Sequence, residues 1–448
     1  MPHDQEAESR RRFMSRAAAL GVSSVAALGR HRQAWAAEPA DAMRQFLRPY
    51  VVPREVIESF LDPKARVWAK FHPTYGYLLR NSFVRDGQDG SHTLARYEAD
   101  GQRQQVNFRD QPCRINTYGD SFTQGHQVSD GETWQEMLAA HFCEPIRNYG
   151  IGGFGVYQAY RRLLENEATP NGAKYLIFNI YGDDHYRSIY AWRWLSFQPA
   201  GVKTWSGDYF HANPWVHARL DRESGELVER ENLCPDEATL RKLADPEFVY
   251  ATFGNDEIVC AMLAVQTGLI ANQEKLDLLA ATVRDERADW SDRETIRSSA
   301  KRILHSYAVR VGMKIMDKAH AFARANDKKL LVLLSYPASS VAYACGERPR
   351  DGASDSVDWH PREFKEFLEE KGIPYVDSLP KHVAEFATFR LSPREYVNRY
   401  YIGHYTPRGN NFFAFAIKDK LLAWLDPKPP AYRDDGEPLI RFQGYLPG

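Results

Sequence analysis

The chain has 448 residues, 43% apolar, 13% aromatic and 26% charged, with a formal net charge of -1. That length exceeds one average domain, and the composition is that of a soluble globular protein with a large core. The near-neutral balance gives no field for nucleic acid or anionic lipid, so neither is expected as a partner.

The first segment, residues 1–37, reads as an export signal. "SRRRFMS" places Arg10 and Arg11 before Phe13 and Met14, a short apolar run follows over Ala17 to Gly29, and Ala34-Trp35-Ala36 supplies a small-residue exit. Charged start, apolar middle and exit in that order resemble a twin-arginine signal. A mature start near Ala37 and a periplasmic or secreted protein are expected. The apolar run is shorter than the about 20 residues a bilayer span needs. "IVCAMLAVQTGLI", at Ile258 to Ile270, is also short and reads as a buried helix, so no membrane insertion is expected. The five cysteines (Cys113, Cys143, Cys234, Cys260, Cys345) lack CxxC spacing, which argues against a zinc site and allows at most two disulfides.

Residues 38–112 read as an N-terminal extension with turn-rich, strand-like pieces such as "HPTYGYLLRNSF". From 113 onward the rhythm changes. Buried parallel strands are predicted at Arg114–Gly119, Ile146–Gly150, Lys174–Gly182, Lys328–Pro337 and, more weakly, Ile373–Asp377. Amphipathic helices are predicted between them, as at Thr133–His141, Val156–Glu165 and Glu363–Glu370. This alternation predicts an α/β fold: a three-layer sandwich around a mostly parallel five-stranded sheet. A long insertion, about 186–299, interrupts it after the third strand. It opens on "YAWRWLSF", passes a hairpin at "HARLDRESGELVER" and ends in polar helices.

In such sheets, function collects at the carboxyl ends of the strands. Here those ends carry Gly119-Asp120-Ser121, then "NYGIGGFG" at Asn148 to Gly155, then "YGDDHYR" at Tyr181 to Arg187, and after the fifth strand "YIGHYTPRGN" around His404. A serine nucleophile needs a base, and its oxyanion needs N–H donors on a closely approaching backbone, hence glycine. On these residues the chain resembles the SGNH, or GDSL, hydrolases over roughly Cys113 to Leu425. The resemblance implies Ser121 as nucleophile, His404 as general base and Gly153 as an oxyanion donor. No cofactor and no metal are implied.

Two positions depart from the family pattern. Its third block carries an oxyanion-binding Asn where this chain has Asp183, and an ionised carboxylate donates no hydrogen bond. Protonation of Asp183, favoured by its neighbour Asp184, would be needed for it to help. The family acid three residues before the histidine is here Tyr401, whose hydroxyl can orient an imidazole; Asp377 and Asp358 are other candidate acids. Asp120 is assigned to the catalytic turn, as a brace. Gly152, Asp184, His185 and Tyr401 are assigned to the substrate side. The expected function is an exported serine esterase removing O-acyl groups from a carbohydrate or polymer. Transfer of the acyl group to a sugar hydroxyl, a glycosidase built on Asp120, Asp183 and Asp184, and a non-catalytic binding protein remain the alternatives. Trp192, Trp194 and Trp205 are candidates for stacking on sugar or for core.

Overall fold

The computed structural model describes residues 39–197, 213–348 and 357–433. The export signal and Trp205 lie outside them. Five strands form one all-parallel sheet: β1 (Ile115–Tyr118), β2 (Arg147–Asn148), β3 (Tyr175–Tyr181), β4 (Lys329–Ser335) and β5 (Tyr375–Asp377), in the order β5-β4-β3-β1-β2. All seven residues of β3 and six of β4 are buried, which is why these strands read as unbroken apolar runs. Their register is continuous from Lys329 opposite Tyr175 to Ser335 opposite Tyr181.

The helices that position the site are α1 (Ser121–Gln124), α2 (Trp134–Phe142), α3 (Val156–Glu167), α4 (Asp184–Ile189), α5 (Arg293–Ala325), α6 (Arg362–Glu370) and α7 (Pro407–Trp424). The chain runs outward from β1 to β2 and then returns past β1 to β3. Right-handed crossovers therefore put α2 and α3 on opposite faces of the sheet. α7 packs on α2, while α4, α5 and α6 gather on the α3 side. The two directions diverge between β1 and β3, which leaves a crevice at their carboxyl ends.

The segments outside the sheet form two antiparallel hairpins in the extension (Ala69–His72 with Gly76–Leu79, and Ser82–Val84 with Thr93–Ala95) and one in the insertion (His217–Leu220 with Leu227–Arg230). Helix α5 runs for 33 residues because its buried stripe, from Ile296 and Ile303 to Ile315 and Ala319, is continuous. Trp192 and Trp194 are buried, Trp192 against Phe253 at 5.0 Å, so these two pack as core and offer no face to a ligand. All five cysteines are free. No single helix among the described residues is long and apolar enough to cross a membrane.

Candidate active site

The turn after β1 is built to present a serine. At Gly119 φ is +151°, and a Cβ there would stand 2.3 Å from Thr123 Oγ1 and 2.6 Å from the Asn179 carbonyl oxygen of β3, so only glycine fits. Asp120 then caps α1: its Oδ1 accepts the Phe122 N–H at 2.9 Å. This makes Ser121 the first helical residue, with a backbone N–H outside the helical ladder. Phe122 locks the turn in place, stacked on Tyr181 at 3.9 Å and edge-on to Tyr405 at 4.8 Å.

His404 arrives from the other side of the sheet, on a loop with Gly403 at φ +119° that feeds α7. Its Nε2 lies 2.8 Å from Ser121 Oγ. Gln127 fixes the tautomer. The Gln127 Oε1 accepts the His404 backbone N–H at 3.0 Å and faces His404 Nδ1 at 3.1 Å, while Gln127 Nε2 donates to the Asp86 carbonyl at 3.0 Å. With the amide oriented this way, Nδ1 carries the proton and Nε2 accepts from the Ser121 hydroxyl. Burial, with the nearby charges of Arg187 and Arg193 and the ring of His126, holds the imidazole well below the usual histidine range, so His404 is neutral at pH 7.

The loop carrying Gln127 is held by an arginine from the N-terminal extension. Buried Arg103 donates to the carbonyls of Gln124, Gly125 and Val128, each at 2.6 Å, and pairs with Asp130 at 3.1 Å. The extension also supplies Tyr77, whose hydroxyl donates to the Gly152 carbonyl, and Asp86, 3.8 Å from His126. Gly152 lies beside the serine, where a Cβ on it would stand 3.6 Å from Ser121 Cβ, and Gly153 follows it in the chain. At Gly153 φ is +87°, and a side chain would collide with Arg193 Nη1 and the Tyr77 hydroxyl. Among the described residues, neither the Ser121 N–H nor the Gly153 N–H donates to a protein acceptor.

The acidic block after β3 is organised by Arg187, one helical turn beyond Asp183. Arg187 grips both Asp183 oxygens, at 3.0 and 2.6 Å, and its Nη1 reaches Asp184 at 2.9 Å and Asp120 at 3.3 Å. Asp183 is thus an engaged acceptor with 43% of its side chain exposed. Asp120 and Asp184 are almost wholly inaccessible. Burial raises both of their carboxyls, Asp184 strongly because Asp120 adds like charge. Asp183 meets Arg187 with both oxygens, as an acceptor of two hydrogen bonds. Of the three carboxyls named for a glycosidase, Asp120 and Asp184 are buried and Asp183 alone is partly exposed.

Three expectations are corrected. Tyr401 does not touch His404. Its hydroxyl is buried between the Tyr336 carbonyl (3.3 Å) and His382 Nε2 (3.2 Å), because its side chain packs into the α7 side of the sheet. His185 is not on the substrate side. It lies in the core of the α4–α5–α6 layer, 4.8 Å from Phe364 and against Gly312. Asp184 braces the turn by accepting the Tyr181 N–H at 2.9 Å instead of facing a ligand. The candidate acids are also elsewhere: Asp377 pairs with Lys365 at 2.7 Å and Asp358 lies beside His305. No carboxylate contacts His404 among the described residues; Gln127 holds that place.

Gln127, Arg187, Arg193 and Tyr77 carry the site without having been singled out in the sequence. Arg187 follows Asp183 by four residues at the start of a helix, the spacing of an ion pair. Arg193 stands as a lone charge in the aromatic run "YAWRWLSF", which marks a charge destined for use in the interior. No group of three or more potential metal ligands is gathered among the described residues. No family model matches the chain, and no curated protein matches it significantly.

Proposed function

We propose that the protein is a serine esterase of the SGNH type, exported by the twin-arginine route, that removes O-acyl groups from a carbohydrate or polymer. The observation that carries this reading is the 2.8 Å contact between Ser121 Oγ and a neutral His404 Nε2 at the carboxyl ends of a parallel sheet. The order Ser121, Gly153, His404 along the chain supports the family assignment. The carbohydrate substrate rests on the export signal and the aromatic insertion, whose two described tryptophans, Trp192 and Trp194, are core.

In this reading Ser121 Oγ attacks the ester carbonyl as His404 Nε2 takes its proton. The Gln127 oxygen, accepting from Nδ1–H, steadies the imidazolium that forms. The Ser121 and Gly153 N–H groups receive the oxyanion. Collapse expels the sugar alkoxide, which takes the proton from His404, and water releases the acyl group by the same steps in reverse. A sugar hydroxyl in place of that water would make the product an acylated acceptor.

The test is a chromogenic acetyl ester assay, run with and without a sugar acceptor, alongside labelling by a fluorophosphonate. Ser121→Ala is expected to lose both label and turnover. His404→Ala should cost nearly as much, since residues acting as a unit are not additive. A Ser121→Ala variant that keeps its activity would defeat the proposal. Export is tested by Arg10→Lys with Arg11→Lys, which should trap precursor in the cytoplasm.

A further inference from the structure

Resting on the serine-esterase reading, we propose that Arg193 is the third donor of the oxyanion hole, supplying with a guanidinium what the family supplies with the asparagine missing at Asp183. Three observations converge on it. The Arg193 guanidinium lies against Gly153, so closely that a Cβ on that glycine would stand 2.1 Å from Nη1. That Nη1 is buried and has no hydrogen-bond acceptor among the described residues. Asp183, at the usual donor position, has both oxygens filled by Arg187.

A buried N–H without an acceptor is costly, the more so when charged, so it persists where something else offsets it. An oxyanion formed beside the Gly153 N–H would do so. Arg193 is also restrained: its guanidinium lies 5.3 Å from the Phe197 ring centre, and the Tyr77 hydroxyl, which anchors Gly152, is its neighbour. It is therefore placed before substrate arrives, as electrostatic stabilisation requires. Burial and the like charge of Arg187 lower its pKa from the ordinary guanidinium value. A buried cation with an open N–H here makes the hole better suited to the charged tetrahedral state than to the neutral ester.

The same cation would bind a carboxylate on the substrate, and the two roles separate experimentally. Arg193→Met and Arg193→Lys are assayed on a neutral acetyl ester and for the rate of fluorophosphonate labelling, whose phosphonyl oxygen occupies the oxyanion position. Arg193→Met should lower kcat by roughly a hundredfold or more with KM changed less than about threefold, and should slow labelling in proportion. Arg193→Lys should fall between the two, and added guanidinium ion should partly restore Arg193→Met. Wild-type kcat in Arg193→Met, or a loss confined to KM on anionic esters, would overturn the proposal; the second result would make Arg193 a substrate anchor. If Arg193→Met does not fold, the Lys variant decides, by whether its labelling rate falls below that of the wild type. Failure of the underlying reading looks different: wild-type protein would then be unlabelled and Ser121→Ala would match it.

Discussion

Gln127 Oε1 meets His404 twice, at the backbone N–H and at ring Nδ1, and so does the positional work that a carboxylate does in a serine triad. A neutral amide orients the ring and fixes its tautomer but stabilises an imidazolium less than a charge does. Gln127→Ala should therefore lower kcat, by roughly tenfold to a hundredfold, and leave KM near wild type. Gln127→Glu adds a negative charge beside an imidazole whose pKa is depressed. It should move the acid limb of the kcat/KM profile to higher pH, whereas in the wild type that limb lies below the ordinary histidine value of about 6.5. A pH–rate profile identical in the two proteins would show that Gln127 does not act on His404.

How much of this was legible beforehand depends on the kind of residue. The sheet was readable because β3 and β4 are buried on both faces and leave unbroken apolar runs. Ser121 and Gly153 were readable because their turns need glycine at fixed places. The imidazole's partner was not, since nothing local ties Gln127 to a histidine 277 residues away. Proximity in sequence misled for Tyr401 and His185. Each adjoins a block of the candidate site, yet helix and loop geometry turns their side chains into the layers behind the sheet.

The Asp183→Asn variant separates the serine chemistry from a carboxylate mechanism. Asp183 is partly exposed and shares Arg187 with two buried carboxyls, so neutralising it leaves that cation compensated. Stability should fall by no more than about 1 kcal/mol. Turnover on a small acetyl ester should stay within about tenfold of wild type, or rise, because an amide donor enters the hole. Loss of all activity in Asp183→Asn with activity kept in Ser121→Ala would reverse the assignment.

Arg103 ties the extension to the loop beside Ser121 and His404. It is buried, paired with Asp130, and holds three carbonyls of the loop that carries His126 and Gln127. Arg103→Met should destabilise the protein by about 3 kcal/mol, because it strips a buried charge and three carbonyls of their partner. Urea unfolding measures this. In the folded fraction kcat should fall as well, since Gln127 loses its support. Wild-type stability in Arg103→Met would mean that the loop holds itself.

The buried histidines predict acid sensitivity, with a sign that follows from their direction. Burial pushes His382 down to about 3, and burial together with Arg219 pushes His217 down to about 3. In the unfolded chain both protonate near the ordinary value of about 6.5. As pH falls below that, the unfolded state binds protons that the folded state refuses, so stability is full above about 6.5 and is lost as pH falls toward 3. At pH 5 each such histidine should remove roughly 2 kcal/mol. His382 sits between the Tyr396 and Tyr401 hydroxyls, at 3.1 and 3.2 Å, where a neutral ring can serve both. His382→Gln should keep one or both of those bonds without taking a proton. It should therefore lose stability at pH 7.5 yet shrink the difference between unfolding midpoints at pH 7.5 and pH 5. An unchanged difference would mean that His382 does not contribute to the acid loss, and that the remaining buried histidines carry it.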